Sequence, residues 1–189
     1  MADPTTGHLL TDDEVAKLTE LRDERSARLL HDDRPESSAR GVHHVAHRCP
    51  CGHPDVVATE PRLEDGTPFP TTFYLTCPRA ASMIGTLEAS GLMREMTERL
   101  AVEPALAEAY ARAHRAYLDF RETIGHVPEI DGVSAGGMPS RVKCLHVLAA
   151  QSLAQGRGVN PLGDEVLDRL GEFWAAGRCV SPEAGDEER

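Results

Sequence analysis

"VHHVAHRCPCGHPDVVATEPRLEDGTPFPTTFYLTC", residues 42–77, decides the fold class. Three runs within it, "VHHVAHRC", "DVVATEPRL" and "TTFYLTC", are short, rich in β-branched or aromatic residues, and separated by Pro, Gly and Asp clusters. "EDGTPFP" between the last two reads as a turn joining paired strands. The stretch therefore predicts a small antiparallel sheet of about three strands.

On either side the pattern is helical. Residues 12–31 open with a capping box, Thr11 and Glu14, and read as a mostly solvated helix followed by the polar linker "HDDRPESSARG". "PRAASMIGTLEASGLMREMTERL" begins with Pro78 in the favoured first helical position, and Ser90 and Gly91 permit a break. "EPALAEAYARAHRAYLDFRETI" places Leu106, Tyr110, Ala113, Tyr117 and Phe120 on one side. "MPSRVKCLHVLAAQSLAQG" is apolar on more than one face, which predicts the most buried helix, beginning at Pro139. A last helix is expected over 164–176, capped by Asp164.

The expected architecture is thus α+β: a helix-rich single domain whose small sheet, within residues 42–77, packs on four or five helices. The chain has 189 residues, enough for one core and too few for two full-sized domains. Residues 1–40 are read as a solvated helix and linker, 41–178 as the globular domain, and 179–189 as a disordered acidic tail. No run of about 18 apolar residues occurs, and the N-terminus lacks the basic and apolar regions of a signal peptide, so a soluble cytoplasmic protein is expected.

The net charge is −11, but its placement matters more than its sum. Residues 1–39 hold ten acids and five bases and 161–189 hold eight and three, whereas 40–160 hold thirteen and twelve. The acidity belongs to the ends, which argues against nucleic acid and anionic membranes and suits a basic protein partner.

Five cysteines, Cys49, Cys51, Cys77, Cys144 and Cys179, stand in a chain expected to be cytosolic, so reduced or metal-bound thiols are expected rather than a disulfide framework. Cys49 and Cys51 leave one turn, Cys77 ends a strand, and Cys144 falls in the first turns of the buried helix. Convergence of these four sulfurs would make a thiolate site for zinc or an iron-sulfur cluster. The C-x-C spacing does not match the usual zinc knuckle, and nothing matches a ferredoxin run, so both metals stay open. Cys179 is a spare, and His53 is not needed once four sulfurs are counted.

Cys77 has a second reading. In "LTCPRA" it is the expected N-cap of a helix, where unpaired N–H groups and the helix dipole favour a thiolate. A thiol-dependent enzyme would use it as nucleophile, with Arg79, Arg141 and Lys143 holding an anionic small molecule. "SAGGMPSRVKCLH" allows such an anion site through Gly136 and Gly137 before a helix start, but it matches no named phosphate loop, and a left-handed turn followed by solvated cations is the simpler reading. His146 lies about 200° from Cys144 around an ideal helix, so it is expected on another face, bonded within the core. A non-catalytic interaction protein is the third reading.

"RCPCGHPDVVATEPRLEDGTPFPTTFYLTCPRA", "SAGGMPSRVKCLH" and "GVNPLGDE", in that order, resemble the actinobacterial domain-of-unknown-function family 501 over about residues 42–170. The resemblance implies a bacterial cytosolic protein and carries no activity or catalytic residue with it.

Overall fold

The computed structural model describes residues 41–175. Strands β1 (Val42–Arg48), β2 (Pro54–Thr59) and β3 (Phe73–Leu75) form one antiparallel sheet in the order β1-β2-β3. The central strand is the most deeply placed, with Asp55 to Thr59 all buried, as expected for a strand flanked on both edges. Val57 pairs with Val45 on one side and Tyr74 on the other. The α+β class and the three-stranded sheet agree with the sequence reading.

The turn between β1 and β2 is the C-P-C-G segment. Cys49 N–H donates to His53 O at 3.0 Å and Gly52 N–H to Cys49 O at 2.8 Å, which closes the turn. Gly52 sits at φ 86°, a left-handed conformation that a side chain would strain.

Five helices follow: α1 (Pro78–Ala89), α2 (Leu92–Val102), α3 (Pro104–Ile124), α4 (Leu145–Gln155) and α5 (Pro161–Leu170). Cys77 caps α1 with Pro78 next, and Ser90–Gly91 separates α1 from α2, both as the sequence predicts. Helix α4 is the buried one: Leu145, Val147, Leu148, Ala149, Ala150, Gln151 and Ser152 are all enclosed. It packs against the sheet, α1 and α5. The core joins Val56, Phe73 and Leu75 of the sheet to Ile84, Met96, Tyr110, Tyr117, Leu148 and Val166 of the helices.

Two helix starts differ from expectation. Helix α4 begins at Leu145 with Cys144 as its N-cap, six residues after Pro139. The intervening backbone finds other partners: Lys143 N–H donates to Gly136 O, Arg141 N–H to Gly137 O, and Val142 N–H to the Thr97 hydroxyl. Those bonds replace the helical ladder, so proline's preference for a first turn is overridden. Helix α5 begins at Pro161, because Asn160 rather than Asp164 supplies the cap, its Oδ1 accepting from Leu162 N–H and Gly163 N–H. The expected helix over 12–31, the acidic tail and Cys179 lie outside the described residues.

Candidate metal centre

Three side chains from two helices meet where the start of α4 crosses α1. Cys144 is the N-cap of α4 and His146 its second residue, while Glu88 comes from the last turn of α1. Their ligand atoms, Sγ, a ring nitrogen and a carboxylate oxygen, all lie within 4.8 Å of one another, and all three residues are partly buried. His146 Nδ1 is 3.9 Å from Cys144 Sγ and 3.1 Å from Glu88 Oε1. The same Glu88 oxygen accepts the Leu145 N–H at 2.7 Å.

The far side of the imidazole is also held, with His146 Nε2 3.1 Å from Ala81 O. A carbonyl only accepts, so Nε2 carries a proton and donates it. The nitrogen facing Cys144 and Glu88 is therefore Nδ1. Metal-binding histidines are commonly fixed in this way, with the remote N–H donated to a backbone carbonyl.

The charges agree with a tight pair. Burial works against the His146 cation, but hydrogen bonds and charge from Cys144 and Glu88 outweigh it and hold the imidazole up to about 9. Burial raises the Glu88 carboxyl, yet its bonds to His146 and Leu145 bring it below its ordinary value. At neutral pH without metal, His146 is an imidazolium clamped between α1 and α4.

The expected bond of His146 to backbone holds, through Ala81 O, while its expected place on a different face from Cys144 is corrected. The 100° step that puts the two side chains on different faces applies only to residues inside a helix. Cys144 is instead extended, at φ −153° and ψ 114°, so its side chain turns back toward His146. Glu88, in "GTLEASG", carries no local signal that would have singled it out.

The other expected ligands lie elsewhere. Cys49 and Cys51 stand at disulfide-bonding distance, with Cα atoms 5.3 Å apart, where reduced thiols had been expected. Cys77 is a buried cysteine at the same end of the sheet. Thr76 secures it there, its N–H donating to Asp55 O and its hydroxyl to Pro54 O, both at 2.9 Å. Among the described residues, neither group of three or more ligand atoms gathered within 4.8 Å contains Cys49, Cys51 or Cys77. The second such group, Glu122, His126 and Asp131, is wholly exposed.

The three expected anion-binding cations have separate surroundings. Arg79 donates to Phe173 O at 3.2 Å. Arg141 and Lys143 are exposed on the segment before α4. Gly136 and Gly137 take left-handed conformations, φ 72° and 90°, eight and seven residues before the Cys144 cap.

With the geometry in place, the chain can be set against known proteins. Residues 45–168 match the family model described as "Protein of unknown function (DUF501)". The chain belongs to that family. The DUF501 match begins within β1 and ends within α5, so it takes in both the cysteine turn and the Glu88–Cys144–His146 group. No curated protein and no solved structure matches the chain. Among the described residues of this DUF501 chain, no helix is long and apolar enough to cross a membrane.

Proposed function

We propose that the protein binds a single zinc ion through Cys144 Sγ, His146 Nδ1 and Glu88 Oε1. The observation that carries this reading is the meeting of three different ligand types at near-ligand separations, with the histidine's remote nitrogen already tied to a carbonyl. Around a tetrahedral zinc with ordinary bond lengths, sulfur and nitrogen stand about 3.5 Å apart and nitrogen and oxygen about 3.3 Å. The separations here are 3.9 and 3.1 Å. For these two pairs, shifts of a few tenths of an ångström separate the two arrangements.

One thiolate, one imidazole and one carboxylate make a borderline donor set that suits zinc, whereas iron-sulfur clusters are held chiefly by thiolates. Zinc replaces the proton now shared by His146 and Glu88, and a water completes the fourth position. The ion links the end of α1 to the start of α4. The four-cysteine set read from the sequence shares one member with this site, Cys144.

Cobalt substitution tests the assignment. Cobalt(II) added to chelator-treated, reduced protein is expected to bind one ion per chain and give a thiolate-to-cobalt charge-transfer band. Cys144→Ser should abolish that band, and His146→Gln or Glu88→Gln, each removing a direct ligand, should weaken binding by more than the roughly 10–100-fold typical of losing a ligand's outer hydrogen-bonding partner. Cys49→Ser, Cys51→Ser and Cys77→Ser should leave it unchanged. Loss of the band in those three variants as well as in Cys144→Ser would instead restore the four-sulfur centre.

A further inference from the structure

The Glu88–Cys144–His146 group supplies three ligand atoms, one short of a closed tetrahedral site. Zinc held by four side chains has a structural role, whereas zinc held by three keeps a position for water or substrate. Such a position matters only if a molecule from solution can reach it. The side chains of Glu88 and His146 are 23% and 20% exposed, so the group lies at the surface and not in the sealed core.

Helix α1 provides the opening. Ala81, Gly85 and Glu88 follow one another at i, i+4 and i+7 and so share one face of the helix. His146 touches that face at two places, with Nε2 3.1 Å from Ala81 O and Nδ1 3.1 Å from Glu88 Oε1. Gly85 falls between these two residues in the row, and a Cβ built on it would meet nothing within 4 Å. The space beside the ligand atoms is therefore open where any larger residue at position 85 would put a side chain.

Charge selects what enters. A thiolate and a carboxylate together balance the two charges of zinc, so a further anion needs positive potential from elsewhere. Helix α4 supplies it, because the group is gathered at the N-terminus of this eleven-residue helix, where the dipole and the N–H groups favour negative charge. Glu88 already shows the preference, its Oε1 accepting the Leu145 N–H at 2.7 Å. The Cys144 side chain makes no capping bond of its own, which leaves further N–H groups of the first turn facing this end.

We propose that the metal centre has an exchangeable fourth position, entered over Gly85, that takes a small anion such as a carboxylate. This inference rests on the zinc reading above and adds an external ligand to it: the ion meets a molecule from solution as well as linking α1 to α4.

Azide is the probe, titrated into the full-length, cobalt-loaded protein once its thiolate-to-cobalt band has been recorded. A saturable shift of the visible d–d bands is expected, with the charge-transfer band retained. Gly85→Leu should take up cobalt as the parent does but bind azide at least about tenfold more weakly. Gly85→Ala, which adds one methyl in open space, should still bind azide. Infrared spectra of azide with the zinc-loaded parent test the same point without any substitution, through a shifted antisymmetric stretch. Absence of the thiolate-to-cobalt band would remove the zinc reading and this inference together. A normal band that does not respond to azide, with no shifted stretch in the zinc form, would overturn this inference alone. Equal azide affinity in Gly85→Leu and the parent would overturn entry over Gly85.

Discussion

Asn160 shows how much one buried amide can organise. Its Oδ1 accepts from Leu162 N–H at 3.1 Å and Gly163 N–H at 3.0 Å, satisfying two donors at the start of α5. Its Nδ2 donates to Gln151 Oε1 at 2.8 Å, and Gln151 Nε2 in turn donates to Ala113 O, also at 2.8 Å. Asn160 and Gln151 are fully buried, so each bond stands in for water that has no access. Replacing Asn160 with alanine removes the cap and strands the Gln151 oxygen, an expected loss of about 2–4 kcal/mol in urea unfolding. Asn160→Asp keeps the cap but turns an acceptor toward the Gln151 oxygen. It should fall between the two, and an aspartate variant as stable as the parent would show that the link to Gln151 contributes nothing.

At the scale of elements, the tightest contact is between α4 and α5. A Cβ built on Gly163 would collide with Leu148 O and the Ser152 hydroxyl, whereas one on Gly85 in α1 would meet nothing within 4 Å. The two glycines therefore predict opposite signs. Gly163→Ala should force the helices apart and cost at least about 1–3 kcal/mol. Gly85→Ala should raise stability by up to about 1 kcal/mol, because alanine restricts the unfolded chain and favours the helix. Thermal unfolding of the two variants checks both signs. The segment before α4 is governed in the same way by its neighbours. Tyr110 donates its hydroxyl to Arg141 O and Thr97 accepts the Val142 N–H, so α2 and α3 decide where α4 begins.

Across the whole molecule, the clamp between α1 and α4 makes stability depend on pH. His146 is held up to about 9 in the fold, above the unfolded value of about 6.5. A raised pKa means that the folded state holds the proton more tightly. The stabilisation is full below about 6.5 and disappears as pH rises through about 9. Metal-free protein should therefore lose of order 1 kcal/mol over that interval, less than the full shift because the pair is partly solvated. Denaturation in a chelator at the two ends of the range measures it. His146→Gln should flatten the profile, and a slope that survives this change would assign the effect to another group.

How much of this was legible in the sequence depends on how local each cause is. Strands within 42–77, the Cys77–Pro78 helix start and the Ser90–Gly91 break each follow from a few adjacent residues, and the structure reproduces them. The glycine of the C-P-C-G turn is equally local. The candidate zinc site was legible only in its sulfur. Cys144 was singled out, but Glu88 lies 56 positions away and has no motif around it, and His146 was set aside by a helical rotation that does not apply to an N-cap. The hydrogen bond between Asp55 and His47 was missed because its partners sit on two strands, and only their pairing brings the side chains together.

By itself, the sequence determined the α+β class, the order of the elements and the residues rich in possible chemistry, because strand propensity, helical periodicity and capping act over neighbouring positions. Only the tertiary structure decided which of those residues meet. It drew Cys144 to Glu88 and His146, because backbone groups of distant helices compete for the same hydrogen bonds and fix where each side chain points.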